Sequence, residues 1–420
     1  MALRPDRRAV IAGLASLAAM PSLAAGTPAR VVVVGGGYGG ATAARFINRL
    51  APEIKVTLVE PARTFTACPL SNLVIAGARD LAAQQFGYQT LVREGIDVVH
   101  DRAADVDASA RTVALAGGAT LSYDRLVLSP GIDFDWGALE GYERRAADAM
   151  PHAWKAGEQT LLLRRQLGAM KDGGLVVLSV PRAPFRCPPG PYERASLIAH
   201  YLKSRKPRSK VLILDANERF SKQALFQAEW AARYGDLLEW RGTSDGGRVV
   251  RVDASAMTLE TDFEQLRADV ANVIPPQKAG EIAARAGVAD ATGWCPVDAV
   301  TFESVLQPHI HVIGDATIAA PMPKSAFAAN LQAKICAVQL VRLLRGMDPE
   351  PSVLVNTCYS YVSPDAAISI SGVYSNEGGV LKDVPGAGGV SPAAPDPLSR
   401  EREAAQASDW FRAINRETFG

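Results

Sequence analysis

Two stretches of the chain pair an unbroken apolar run with a helix-period segment. In RVVVVGGGYGGATAARFINRL, residues 30–50, four consecutive valines precede the glycines, the mark of a strand buried on both faces. The segment after the glycines carries apolar residues at helical spacing, and KVTLVEP then returns as a strand ending at Glu60. The layout repeats downstream, with LVVLSVP from Leu175, a helix from about Tyr192 and a strand KVLILDAN ending at Asp215. Two more apolar runs, YDRLVLSPGID and HIHVIGDATIAA, predict strands closing on Gly131 and on Gly314–Asp315. PMPKSAFAANLQAKICAVQL predicts a further helix. Repeated strand–helix–strand units predict an α/β fold with two Rossmann-like nucleotide-binding domains. From about Pro351 the pattern becomes irregular. NEGGVLKDVPGAGGVSPAAPDP reads as loop, and REREAAQASDWFRAINRETFG as a helix with Trp410, Phe411 and Ile414 on one side. A small C-terminal α+β domain is expected there.

The first unit carries its own chemistry. Gly35, Gly37 and Gly40 have the Gly-x-Gly-x-x-Gly spacing of a phosphate-binding turn. The first permits the tight turn, the second lets backbone approach a pyrophosphate, and the third allows close strand–helix packing. Glu60, at the next strand end, is placed for ribose hydroxyls. Asp315 at its strand end suits a ribityl or pyrophosphate-side contact. With Gly131 and Gly314, these features resemble the three FAD contacts of the disulfide-reductase-like flavoprotein superfamily, so FAD is the expected cofactor. The helix after Asp315 would direct its positive end near the flavin, with Lys324 either adding to that charge or lying at the surface.

The second unit lacks a glycine fingerprint. In its place stands FRCPPGPYERAS, where prolines fix the backbone and remove N–H donors. This argues against a nicotinamide as electron source and leaves Cys187 as a candidate redox thiol. Spacing does not reveal its partner. Cys358, in NTCYSYVSP, has a polar and aromatic setting unlike a core cysteine. Cys336 lies in an apolar helix face and reads as packing, while Cys295 is ambiguous.

Composition narrows the classes. The 420 residues include 45 basic and 44 acidic side chains, which argues against a general nucleic-acid binder. Arg7 and Arg8 precede an apolar run, Ala9 to Met20, and then PSLAAG, the pattern of a twin-arginine export signal over residues 1–26. A periplasmic location follows, and no membrane span is expected after the signal. Five cysteines leave at least one unpaired within a monomer, and no Cys-x-x-Cys-His site for covalent haem occurs. The five histidines show no metal-ligand spacing, so no metal site is expected; His309 and His311 alternate along one strand.

The motifs GGGYGGATAARFI, TACPLSN, FRCPPGPYERAS, GWCPVD, IHVIGDA, PMPKSAFAANLQAK and NTCYSYV together resemble the flavoprotein subunit of flavocytochrome c sulfide dehydrogenase. The likeness runs over essentially the whole mature chain. It implies a thioether from Cys68 to FAD, although Cys68 by itself reads equally as a small buried residue. It implies a redox disulfide between Cys187 and Cys358, and an acid/base role for Glu193, which alone reads as a favourable helix-start residue. It implies oxidation of sulfide to sulfur or polysulfide, with electrons passing through FAD to a separate c-type cytochrome, a dihaem partner in a heterodimer. The expected domains are FAD-binding at 27–140 and 280–348, nucleotide-binding-like at 141–279 with the NAD site lost, and a C-terminal domain at 349–420 on the cytochrome side. Two alternatives share the cysteine chemistry. One is an accessory flavoprotein of a thiosulfate-oxidising complex, acting on protein thiols or persulfides. The other is a sulfide:quinone reductase.

Overall fold

The computed structural model describes residues 28–396 and 398–420; the expected export signal lies outside them. The chain opens with β1 (Arg30–Val34), α1 (Tyr38–Leu50), β2 (Lys55–Val59), β3 (Asp97–Val99) and β4 (Arg125–Leu128). It then builds a second unit from β5 (Leu175–Val180), α2 (Gly190–Arg205), β6 (Lys210–Asp215), α3 (Gln223–Arg233), β7 (Leu238–Arg241) and β8 (Val270–Val273). It returns to the first unit with β9 (Ile310–Val312) and α4 (Ala326–Leu344). The last segment holds β10 (Leu354–Ser363), β11 (Ala366–Glu377), β12 (Val380–Asp383), β13 (Gly389–Val390) and α5 (Ser399–Phe419).

The first sheet runs β9-β4-β1-β2-β3 and is parallel throughout. Its central register sets Val33 beside Val127 and Leu58. The valine run is continuous because this strand is covered on both faces, with Val31, Val32 and Val33 at most 2% exposed. The second sheet, β7-β6-β5-β8, is also parallel. Each unit also carries a three-stranded antiparallel meander, at 103–122 and 249–267. The two units are thus copies of one architecture, as the repeated apolar pattern predicts.

Two readings of the sequence are corrected. The glycine- and proline-rich tail is not all loop. Val380–Asp383 and Gly389–Val390 are strands that pair with β11, whose own end extends to Glu377. Backbone pairing with a long neighbouring strand overrides the weak local propensity. Also, one helix after the signal, Ala326–Leu344, is long and apolar enough by length and composition to cross a membrane. It packs lengthwise on α1, and its Cys336 and Leu340 are fully buried in the core of the FAD-side unit.

α5 closes the molecule. Phe411 and Ile414 are buried against α1 and the C-terminal sheet, and Trp410 turns toward the central cavity. A buried polar knot, Thr42–Thr418 at 3.0 Å with Asn330 donating to Thr42 at 3.0 Å, ties α1, α4 and α5 together.

Candidate active site

A cavity of about 210 Å³ lies where the three sheets meet. It is lined by Gly37, Gly131, Gly314 and Asp315 from the first unit, Cys187 and Glu193 from the second, and Cys358, Tyr361 and Trp410 from the C-terminal segment. Cys68 joins them from the loop before the short helix Ser71–Ile75.

The glycine turn is built for close approach. Gly35 has φ +99°, and a Cβ there would meet Ser129 O at 2.3 Å. A Cβ on Gly40 would meet Gly35 O at 1.8 Å, so α1 can pack onto the turn only with glycine at that point. Glu60 accepts from Gly36 N at 2.7 Å and from Ala62 N at 2.9 Å, which holds its carboxylate beside the turn. Across the cavity, burial pushes the Asp315 carboxyl upward against the opposing Arg186 and Lys324 charges. One of its oxygens, Oδ2, lies 3.9 Å from Arg186 Nη1; the other, Oδ1, is buried with no protein partner. A buried acceptor aimed at a glycine-lined cavity, facing a helix start capped by Ser325, fits a dinucleotide that supplies hydroxyl donors. Lys324 does not line this cavity. It lies in a neighbouring cleft, where Nζ donates to Asp315 O (2.9 Å) and Thr317 O (2.6 Å) and sits 3.8 Å over the Trp294 ring.

The sulfur side comes from two units. Cys187 follows β5 in a left-handed conformation (φ +55°), and its N–H donates to Lys324 O at 2.8 Å, which pins it to the FAD-side segment. Gly190, the first residue of α2, fits beneath it; a Cβ there would lie 3.1 Å from Cys187 Sγ and 2.8 Å from the Trp154 ring. Cys358 lies in β10, and Asn356 Nδ2 donates to its Sγ at 3.2 Å. No disulfide joins any of the five cysteines in this structure. Burial, with Cys358 and Glu193 nearby, drives the Cys187 thiol well above its ordinary range. Glu193 is buried on α2, and desolvation raises its carboxyl to about 7 although Lys222, Asn72 and Arg194 oppose the shift.

Four site residues carried no recognised sequence signal. Arg194 is buried under the cavity, bonded to Asn72, His152 O, Ala153 O and Asn272, and packed over Trp154. Arg186 donates to Trp154 O and faces Asp315. Both arginines adjoin residues already singled out, and that adjacency was the available clue. Lys222 reaches Cys358 only through a tertiary contact, whereas Asn356 lies two residues before Cys358 on the same strand. Cys295 and Cys336 are fully buried, as packing residues should be. His311 is buried against Thr301 O and His309 contacts Arg111; among the described residues no cluster could hold a metal.

At the equivalent end of the second sheet, Asp215 is consumed internally. Tyr192, Trp240 and Asn217 all donate to its carboxylate. Phe220 stacks on Tyr192 at 3.7 Å across the strand end.

Two tandem parallel units, a glycine turn on the first and cysteines above the shared cavity define an FAD-binding oxidoreductase of the disulfide-reductase class. Comparison with known families agrees: residues 29–150 match the pyridine nucleotide-disulphide oxidoreductase family. Residues 160–275 match the central region of the sulfide dehydrogenase [flavocytochrome c] flavoprotein chain, and 349–419 match the flavocytochrome c sulphide dehydrogenase flavin-binding region. Together these matches make the chain a flavocytochrome c sulfide dehydrogenase flavoprotein-like protein of the pyridine nucleotide-disulphide oxidoreductase family, related to sulfide-oxidising flavoproteins and using FAD as cofactor. It is 60% identical over 45 residues to the flavoprotein chain of that enzyme from Chlorobaculum thiosulfatiphilum, covering 11% of this chain and 94% of that sequence. It is also 25% identical over 334 residues to the mitochondrial sulfide:quinone oxidoreductase of Mus musculus, covering 76% of this chain and 72% of that one. The solved sulfide:quinone oxidoreductase of Aquifex aeolicus shares the fold, with a TM-score of 0.70 at 18% identity over 93% of this chain and 92% of that one.

Proposed function

We propose that this protein oxidises sulfide at the Cys187–Cys358 pair and delivers the electrons to a c-type cytochrome subunit. The observation that carries the reading is the meeting of these two cysteines, from different units, in one cavity with Glu193 and the FAD-binding loops. Hydrosulfide attacks one sulfur of the oxidised pair, and the other leaves as a thiolate. Glu193, held near neutrality, is suited to take or return the proton. Arg186, Arg194 and Lys222 bias the cavity toward anions such as hydrosulfide. A second sulfide, or a growing polysulfide, carries the sulfur away. Bound FAD supplies a two-electron acceptor that can also release electrons singly.

Gly35, Gly37, Gly40, Glu60, Gly131, Gly314 and Asp315 are the residues that would hold the FAD, with Cys68 the candidate for a covalent bond. A nicotinamide donor is disfavoured because the second turn is proline-rich and Asp215 is already engaged. Export by the twin-arginine route and work in the periplasm belong to the same proposal and rest on Arg7, Arg8 and the apolar run behind them.

A cytochrome acceptor is supported by the two family matches at 160–275 and 349–419. A quinone acceptor is the second reading, favoured by the long match to sulfide:quinone oxidoreductases. The test is sulfide-dependent reduction of a c-type cytochrome and, separately, of a short-chain quinone in detergent. Cytochrome reduction that is lost in Cys187→Ser while the flavin remains bound supports the proposal. Reduction of quinone alone favours the second reading, and sulfide-driven turnover in Cys187→Ser refutes the sulfur chemistry.

A further inference from the structure

Cys187, in the loop after β5, and Cys358, in β10, belong to separate units, and Lys222 is a polar link between those units beside the pair. It stands just before α3, in the unit that carries Cys187, with its backbone in the left-handed region (φ 62°). Its side chain is buried. Nζ donates to Cys358 O at 2.9 Å, Ser360 Oγ at 2.8 Å and Ile368 O at 3.3 Å. All three acceptors come from the β10–β11 hairpin that carries Cys358, and together they use the full donor capacity of an ammonium group. The titratable groups facing it are Cys358, Glu193, Cys187 and, on α5, Glu403.

We propose that Lys222 is a positioning residue for the redox pair: it docks the Cys358 hairpin onto the Cys187 unit and offsets the negative charge that opening the disulfide leaves in a buried site. This rests on the sulfur chemistry proposed above. In that step the hydrosulfide sulfur bonds to one Sγ, the Sγ–Sγ bond breaks, and its electron pair leaves on the other Sγ. The proton stays on the new persulfide or passes to Glu193. One negative charge enters as a solvated anion and ends as a buried thiolate, which is unfavourable without a nearby cation. Once the bond is open, no covalent link joins the two units here. The three-point contact then keeps the sulfurs close, and proximity favours reclosure.

The test uses the full-length, FAD-loaded protein and the variants Lys222→Met, Lys222→Arg and Ser360→Ala. The Cys187/Cys358 dithiol–disulfide equilibrium is read by alkylation and mass spectrometry in dithiothreitol redox buffers. Flavin bleaching by sulfide is followed by rapid mixing across pH. Loss of the docking contacts in Lys222→Met is expected to shift the equilibrium about tenfold toward the dithiol, equivalent to a midpoint about 30 mV less negative, while loss of the charge is read in the bleaching rate. Bleaching at pH 7 should slow in the same variant, and Lys222→Arg, which keeps the charge, should recover part of the rate. Ser360→Ala should move the midpoint the same way by about threefold, as loss of one modest hydrogen bond gives; it decides the matter if Lys222→Met does not fold. An unchanged midpoint and pH profile, even with a lowered melting temperature, would make Lys222 a packing residue and overturn the proposal. A wild-type chain in which Cys187 and Cys358 never pair would overturn the sulfur chemistry itself, a different and recognisable result.

Discussion

Tyr192 Oη donates to Asp215 Oδ2 at 2.6 Å, and the tyrosine ring stacks on Phe220 at 3.7 Å. The acidic strand end of the second unit, which in a working dinucleotide site would face a ribose, is thereby turned into an internal hydrogen-bond acceptor. Tyr192→Phe should lower stability by about 2 kcal/mol, because a buried acceptor loses a donor. Denaturant unfolding measures this. Neither the wild type nor the variant should show flavin bleaching by NADH or NADPH, since removing one of the donors to Asp215 does not restore a glycine turn.

Glu193 gives a pH signature. Burial raises its carboxyl from an ordinary 4.5 to about 7, so the folded protein binds the proton more tightly than the unfolded chain. The associated stability is fully present below pH 4.5 and is lost as pH rises to about 7, a fall of about 3 kcal/mol in all. Glu193→Gln should remove that slope and be more stable than wild type above pH 7. Unfolding curves across pH 4 to 8 check it, and bleaching compared at equal hydrosulfide concentration should lose its pH dependence near 7 in the same variant.

Cys68 shares the cavity with Asp315 and Trp154, and its Sγ lies 3.8 Å from Trp154 O. On a denaturing gel, flavin fluorescence should stay with the wild-type polypeptide and leave the Cys68→Ser variant. Fluorescence at the dye front for both proteins would mean that FAD is held without a covalent bond.

Gly40→Ala should abolish flavin loading. The added Cβ would stand 1.8 Å from Gly35 O, and backbone cannot yield as a flexible side chain can. The ratio of flavin to protein absorbance reads the effect, with Gly168→Ala as a control for replacing a glycine away from the turn, where a Cβ meets open space.

Much of this protein was legible along the chain. The valine run of β1, the glycine spacing and the repeated strand–helix–strand pattern require only local steric preference and burial on both faces, so they appear as short-range patterns. Proline content around Cys187 likewise argues against a phosphate cradle by chemistry that needs no partner. The tail was misread because Val380–Asp383 and Gly389–Val390 are strands only through pairing with β11, a contact that their composition does not encode. The same limit applies to Lys222 and the orphaned oxygen of Asp315. Their roles arise from charge, desolvation and hydrogen bonds between elements far apart in the chain, and those quantities exist only once three sheets close around one cavity.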